Sequence, residues 1–117
     1  TRGLAEMIRL GSAMGADPRT FNGLSGMGDL VLTCTGPLSR NHSVGFRLGR
    51  GEHLPDILQA MHGVAEGVRT SRAAAQLAAV YGVEMPIVRE VCAILFEGKP
   101  PRQAVSELME RAAKEED

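Results

Sequence analysis

An all-α domain is what this sequence predicts, on three observations. Apolar residues recur at three- and four-residue steps in one segment after another, and Gly or Pro closes nearly every segment. Aromatic residues make up only 3% of the chain against 44% hydrophobic, so packing must come from Leu, Val, Ile, Met and Ala, which suit helices more than strands. The one run that reads as a buried strand, LVLTC at 30–34, has no second β-like run to pair with, and an unpaired strand leaves its backbone groups unsatisfied. Helix is the consistent reading there too.

In order along the chain, Leu4, Met7, Ile8 and Met14 form an amphipathic stripe that leaves Arg2, Glu6 and Arg9 for other faces, with Gly15 just past the helix end. Asp17-Pro18 supplies an N-cap and a Pro at the first helical position. After Ser39, RNHSVGFRLGR predicts a helix with Val44, Phe46 and Leu48 as its apolar material and Gly49 and Gly51 at its end. A short helix follows around LPDILQAM, then an Ala-rich one over 68–81 ending at Gly82. Pro86 opens a helix with Ile87, Val88, Val91, Ile94 and Leu95 inward and Gly98 as its stop. Pro101 starts the last, with Ala104, Val105, Leu108, Met109 and Ala112 on one face, before the charged KEED tail. Six or seven helices with short joints make one compact domain over 1–117.

The bulk properties exclude several function classes. The net charge is −1, with acids and bases interspersed, so no basic stripe offers itself to a nucleic-acid backbone. No apolar stretch is long enough to span a bilayer, and no signal-like segment leads the chain. Cys34 and Cys92 lack CxxC spacing, and a reduced cytoplasmic protein is expected. His42, His53 and His62 have no metal-ligand spacing and read as surface residues, His42 close to Arg40. The chain opens on Thr1 with helical periodicity already under way, which leads us to expect an excised domain.

The chemistry-bearing residues cluster between 26 and 41. Ser39-Arg40-Asn41 falls where a helix begins; its free N–H groups and dipole suit an anion, and the Arg40 guanidinium can grip two oxygens of a phosphate or carboxylate. Ser39 as a plain N-cap and Arg40 as a surface residue is the competing reading. Asp29 is either a dipole-stabilised acid in a first helical turn or a carboxylate in a cleft, with Thr33 one turn along the same face. Glu66, ahead of the Ala-rich helix, has the same alternative of a helix-start acid. GMGD is no Walker loop, because no GK[ST] follows it.

The phrases TRGLAEM, GMGDLVLTC, SRN, VAEGVRT and GVEMPIV occur in that order across the whole chain. Together they closely resemble the C-terminal domain of bacterial NAD(P)-dependent glycerol-3-phosphate dehydrogenases. The resemblance implies an oxidoreductase with an N-terminal Rossmann domain for NAD or NADP and a helical C-terminal domain for the substrate. The reaction implied is the interconversion of sn-glycerol 3-phosphate and dihydroxyacetone phosphate, which feeds glycerophospholipid synthesis. On this chain it implies substrate contacts from Asp29, Thr33, Ser39, Arg40 and Asn41, and cofactor contacts from Arg40, Val64 and Glu66. The implied partner is the chain's own N-terminal Rossmann domain; a homodimer is also expected, while excision would expose the apolar surface that normally meets that domain and allow non-physiological self-association. The dinucleotide fingerprint and the family's catalytic lysine have no counterpart here; neither Lys99 nor Lys114 stands in a matching motif, so no catalytic residue and no metal ligand is assigned. A helical protein-docking module, or the substrate domain of a related hydroxyacid dehydrogenase, are the alternatives. The docking module gives no reason for the cluster from Asp29 to Asn41.

Overall fold

The structure, a computed structural model, describes residues 1–23, 30, 40–61 and 65–111. Among these the regular structure is entirely helical: α1 (Arg2–Ala13), a 3-10 helix (Pro18–Asn22), α2 (Arg40–Gly49), α3 (Leu54–Ala60), α4 (Glu66–Tyr81), α5 (Pro86–Phe96) and α6 (Pro101–Met109). The LVLTC segment lies outside the described residues except for Leu30, which is helical, half-buried and packed toward Gly3 of α1.

The punctuation residues act as expected. Asp17 accepts a hydrogen bond from the Arg19 N–H at 3.0 Å, and Pro18 opens the 3-10 helix behind it. Pro86 and Pro101 each stand in a first turn, where a missing N–H costs nothing. Gly15, Gly51, Gly82 and Gly98 all take positive φ, and Gly82 ends α4 in the left-handed conformation with its N–H returned to the helix's last carbonyls.

The core gathers where α2, α3 and the entry to α4 meet. Val44, Ile57 and Ala65 are buried there, with Leu48, Leu54, Met61, Val68 and Leu95 packed around them. The α4–α5 pair forms the broadest interface, joined at one point by Arg72 stacked 4.1 Å from the Phe96 ring centroid. Cys92, a free thiol on α5, donates to the Ser71 carbonyl of α4 at 3.2 Å, and burial pushes its pKa up, away from the reactive thiolate. No described helix is long and apolar enough to cross a membrane.

Several faces differ from the sequence reading. In α1 the polar stripe, not the apolar one, makes the decisive contacts. Glu6 is only 4% exposed and accepts from the N–H of Ile87 at 2.5 Å and of Val88 at 3.2 Å. Arg2 donates to the Leu108 carbonyl and Arg9 to that of Glu84. Residues 2, 6 and 9 share one helix face, so α1 staples the start of α5 and the end of α6 through their unpaired backbone groups. Leu4, Met7 and Ile8 are half-buried, and Met14 is exposed. Phe46, part of the apolar material of α2, is exposed, as are Val105 and Met109 on the apolar face of α6. On α5 the deepest positions are Pro86, Glu90 and Ala93, while the expected aliphatic stripe is half-buried along its flank. Ala-rich α4 begins at Glu66, two residues before the expected 68.

Glu90 is buried because a lysine meets it. Lys99, in the α5–α6 joint, places Nζ 2.6 Å from Glu90 Oε2 and 2.9 Å from Glu107 Oε2. The carboxylate of Glu90, and then that of Glu107, holds the Lys99 ammonium above its ordinary 10.5. A folded-state pKa above the unfolded value means the stabilisation is complete below 10.5 and lost as the pH rises through the folded value. Substitution Lys99→Met is therefore expected to flatten the alkaline fall in urea midpoint above pH 10.5; equal slopes in both proteins would remove Lys99 from that role.

Candidate functional site

Arg40 is the first residue of α2, and Asn41 the second. Glu66 and Gly67 open α4 in the same way. These two helix starts meet: Asn41 Oδ1 accepts from the Gly67 N–H at 2.8 Å. The N-cap residue of α4, Ala65, has no side chain that could cap its own helix, so α4 borrows an acceptor from α2. Ala65 is itself buried in the core, which anchors the junction, and Ser71 donates back to the Gly67 carbonyl at 2.5 Å.

The electrostatics favour an anion at this junction. Two amino-terminal helix ends meet through the Asn41–Gly67 contact, each carrying partial positive charge, and Arg40 stands next to Asn41 in the chain. Arg40 is exposed and forms no ion pair among the described residues. Glu66 is also exposed, an acid in the first turn of α4. The guanidinium suits a phosphate; the Glu66 carboxylate suits a hydroxyl or amine donor.

Of the residues assigned by resemblance, the structure thus brings Arg40, Asn41 and Glu66 to one junction. Asp29, Thr33, Ser39 and Val64 lie outside the described residues, as do Cys34, His62 and the glycines at 26 and 28. His42 and His53 are exposed, and no cluster of metal-binding side chains occurs among the described residues. Sequence reasoning passed over Gly67. The available signal was a glycine at the second position of an otherwise Ala-rich helix, where a side chain would ordinarily add propensity.

A cleft of about 250 Å³ runs from Asn41 down between α2, α4 and α5. Val44, Leu48, Val68, Val91 and Leu95 line it, with Asn41 and Ser71 as its polar groups. An aliphatic slot of this kind cannot replace the hydration of a phosphate; its polar lining is confined to Asn41 and Ser71.

Comparison with known proteins places the chain in a family. Residues 1–106 match the family described as NAD-dependent glycerol-3-phosphate dehydrogenase C-terminus. The glycerol-3-phosphate dehydrogenase [NAD(P)+] of Syntrophotalea carbinolica is 64% identical over 99% of this chain, and that of Geobacter metallireducens 63% over the same share. The crystal structure of glycerol-3-phosphate dehydrogenase from Coxiella burnetii superposes on 94% of the chain with a TM-score of 0.91 at 44% identity, and the chain covers 34% of it. The chain spans 35% of the length of both relatives. With its helical fold, its matching profile and these relatives together, the chain belongs to the C-terminal domain family of NAD-dependent glycerol-3-phosphate dehydrogenases.

Proposed function

We propose that residues 1–117 form the substrate-binding C-terminal domain of a cytoplasmic oxidoreductase that interconverts sn-glycerol 3-phosphate and dihydroxyacetone phosphate with NAD or NADP. Its partner is an N-terminal Rossmann domain on the same chain, and its product supplies glycerophospholipid synthesis. The observation that carries this reading is the meeting of Arg40-Asn41 with Glu66-Gly67 at two converging helix starts. It brings Arg40, which can grip a phosphate, and Glu66, which can accept from a hydroxyl or amine, to adjoining helix starts.

In this reading Ser39, Arg40 and Asn41 hold the substrate phosphate, and Asp29 and Thr33 address its hydroxyl end. A small, doubly negative substrate needs a positive anchor away from its reacting carbon. Binding energy gathered at the phosphate then holds carbon 2 in line for reaction. The dinucleotide, when bound, accepts or supplies the hydride at that carbon. The proton of the carbon-2 hydroxyl goes to a base that the family's lysine would provide from the other domain. Arg40, Val64 and Glu66 would contact the dinucleotide from this side. The residues present fit that role: Glu66 is exposed and can accept hydrogen bonds, and Arg40 can offer its guanidinium to a second phosphate.

The division of labour sets the test. The chain alone is expected to produce no NAD(P)H from glycerol 3-phosphate, whereas the two-domain protein does. Turnover by the chain alone, or none by the two-domain protein, would overturn the assignment.

A further inference from the structure

We infer that Gly67 is a positioning residue: it fixes the Asn41 carboxamide so that only its amine edge is left to face a ligand. The inference rests on the proposed substrate site and deepens it. A Cβ built on Gly67 would lie 2.7 Å from Asn41 Cγ, 2.7 Å from Oδ1 and 2.9 Å from Nδ2. These near-equal distances mean that the carboxamide lies flat over the α-carbon of Gly67. Real Cβ contacts do not come that close, so any other residue at 67 must push Asn41 aside. The same glycine donates its N–H to Asn41 at 2.8 Å.

That hydrogen bond has a directional consequence. A backbone N–H can be met only by an acceptor, so the carboxamide oxygen takes the Gly67 N–H, and the NH2 group, lying over the same glycine, keeps its hydrogens for another partner. Asn41 is exposed, and its Nδ2 donates to no described residue. The side chain is thereby left with its NH2 hydrogens to offer, next in the chain to Arg40, which matches an oxyanion such as a phosphate ester. Gly67 joins the phosphate-holding side of the site to the neighbouring Glu66 through one contact.

Kinetics of the two-domain protein at saturating dinucleotide test this. Substitution Gly67→Ala is expected to raise KM for glycerol 3-phosphate roughly tenfold while kcat changes less than about threefold. Substitution Asn41→Ala raises KM comparably and opens the space over position 67, so adding Gly67→Ala to it is expected to cost nothing more. The sign of the stability effect should also invert: Gly67→Ala lowers Tm beside Asn41 but raises or maintains it beside Ala at 41, where the helix-propensity gain is left unopposed. Substitution Asn41→Asp keeps the acceptor for Gly67, and so the fold, yet turns the donor into a charge that repels phosphate. It is expected to retain Tm and raise KM. An unchanged KM in Gly67→Ala, or a full Gly67→Ala effect persisting beside Ala at 41, would overturn the inference. If Arg40→Ala impairs turnover while Gly67→Ala does not, the inference fails and the site stands. If neither Arg40→Ala nor Asn41→Ala alters KM, the site reading fails and the inference falls with it.

Discussion

Substitution Arg40→Ala in the two-domain protein is expected to lower kcat/KM for glycerol 3-phosphate by roughly ten- to hundredfold, with the helical fold intact. A hydrogen bond to a charged group contributes roughly 1.5–3 kcal/mol, which converts to that range. The fold should survive because Arg40 is exposed, forms no ion pair among the described residues and leaves no buried partner behind among them. Lysine is a poor substitute here. It keeps the charge but loses the planar fork that grips two oxygens, so Arg40→Lys should recover only part of the loss. Circular dichroism and Tm should match the unsubstituted protein in both variants.

The second large effect concerns stability. Substitution Glu6→Ala strips the N–H groups of Ile87 and Val88 of their acceptor at the start of α5, a helix whose own N-cap residue, Met85, provides none. Leaving these part-buried donors without their acceptor costs roughly 1–2 kcal/mol, or about 4–10 °C in Tm for a domain of this size. The site lies at another helix start, so KM for the substrate should hold. The pH dependence carries a signature as well. Burial pushes the Glu6 carboxyl above its ordinary 4.5, against the opposing pull of the two backbone N–H groups and nearby Arg9 and Arg111. The folded state therefore holds this proton more tightly than the unfolded chain does. Stability contributed by the protonated form is then lost as the pH climbs from 4.5 through the folded value. Relative to Glu6→Gln, the unsubstituted protein should lose urea midpoint over that interval; parallel curves would contradict it.

Helix positions were legible from local chemistry, because Gly and Pro act on the backbone wherever they stand. Gly82 and Pro86 mark their boundaries without reference to anything distant. Facing was less legible, because it depends on which helix lies opposite. Glu6 reads as a surface acid in any α1 seen alone; it is inward only because α5 arrives with two unmet N–H groups. Glu90 is inward for a similar reason, since Lys99 reaches it from the following joint. Val105 and Met109 share the spacing of buried Ala104, yet they project outward among the described residues. At the candidate site the motif SRN located Arg40 and Asn41, and VAEGVRT located Glu66. That the two motifs touch through Gly67 is a three-dimensional fact with no local trace except a glycine out of place in a helix.

One comparison bears most directly on whether Arg40 is a phosphate anchor: kcat/KM for glycerol 3-phosphate against kcat/KM for glycerol, measured at saturating dinucleotide with and without Arg40→Ala. A guanidinium that holds the phosphate should matter only to the substrate that has one, so the preference for glycerol 3-phosphate should shrink by roughly ten- to hundredfold while glycerol turnover stays level. Equal losses on both substrates, or none on either, would contradict it.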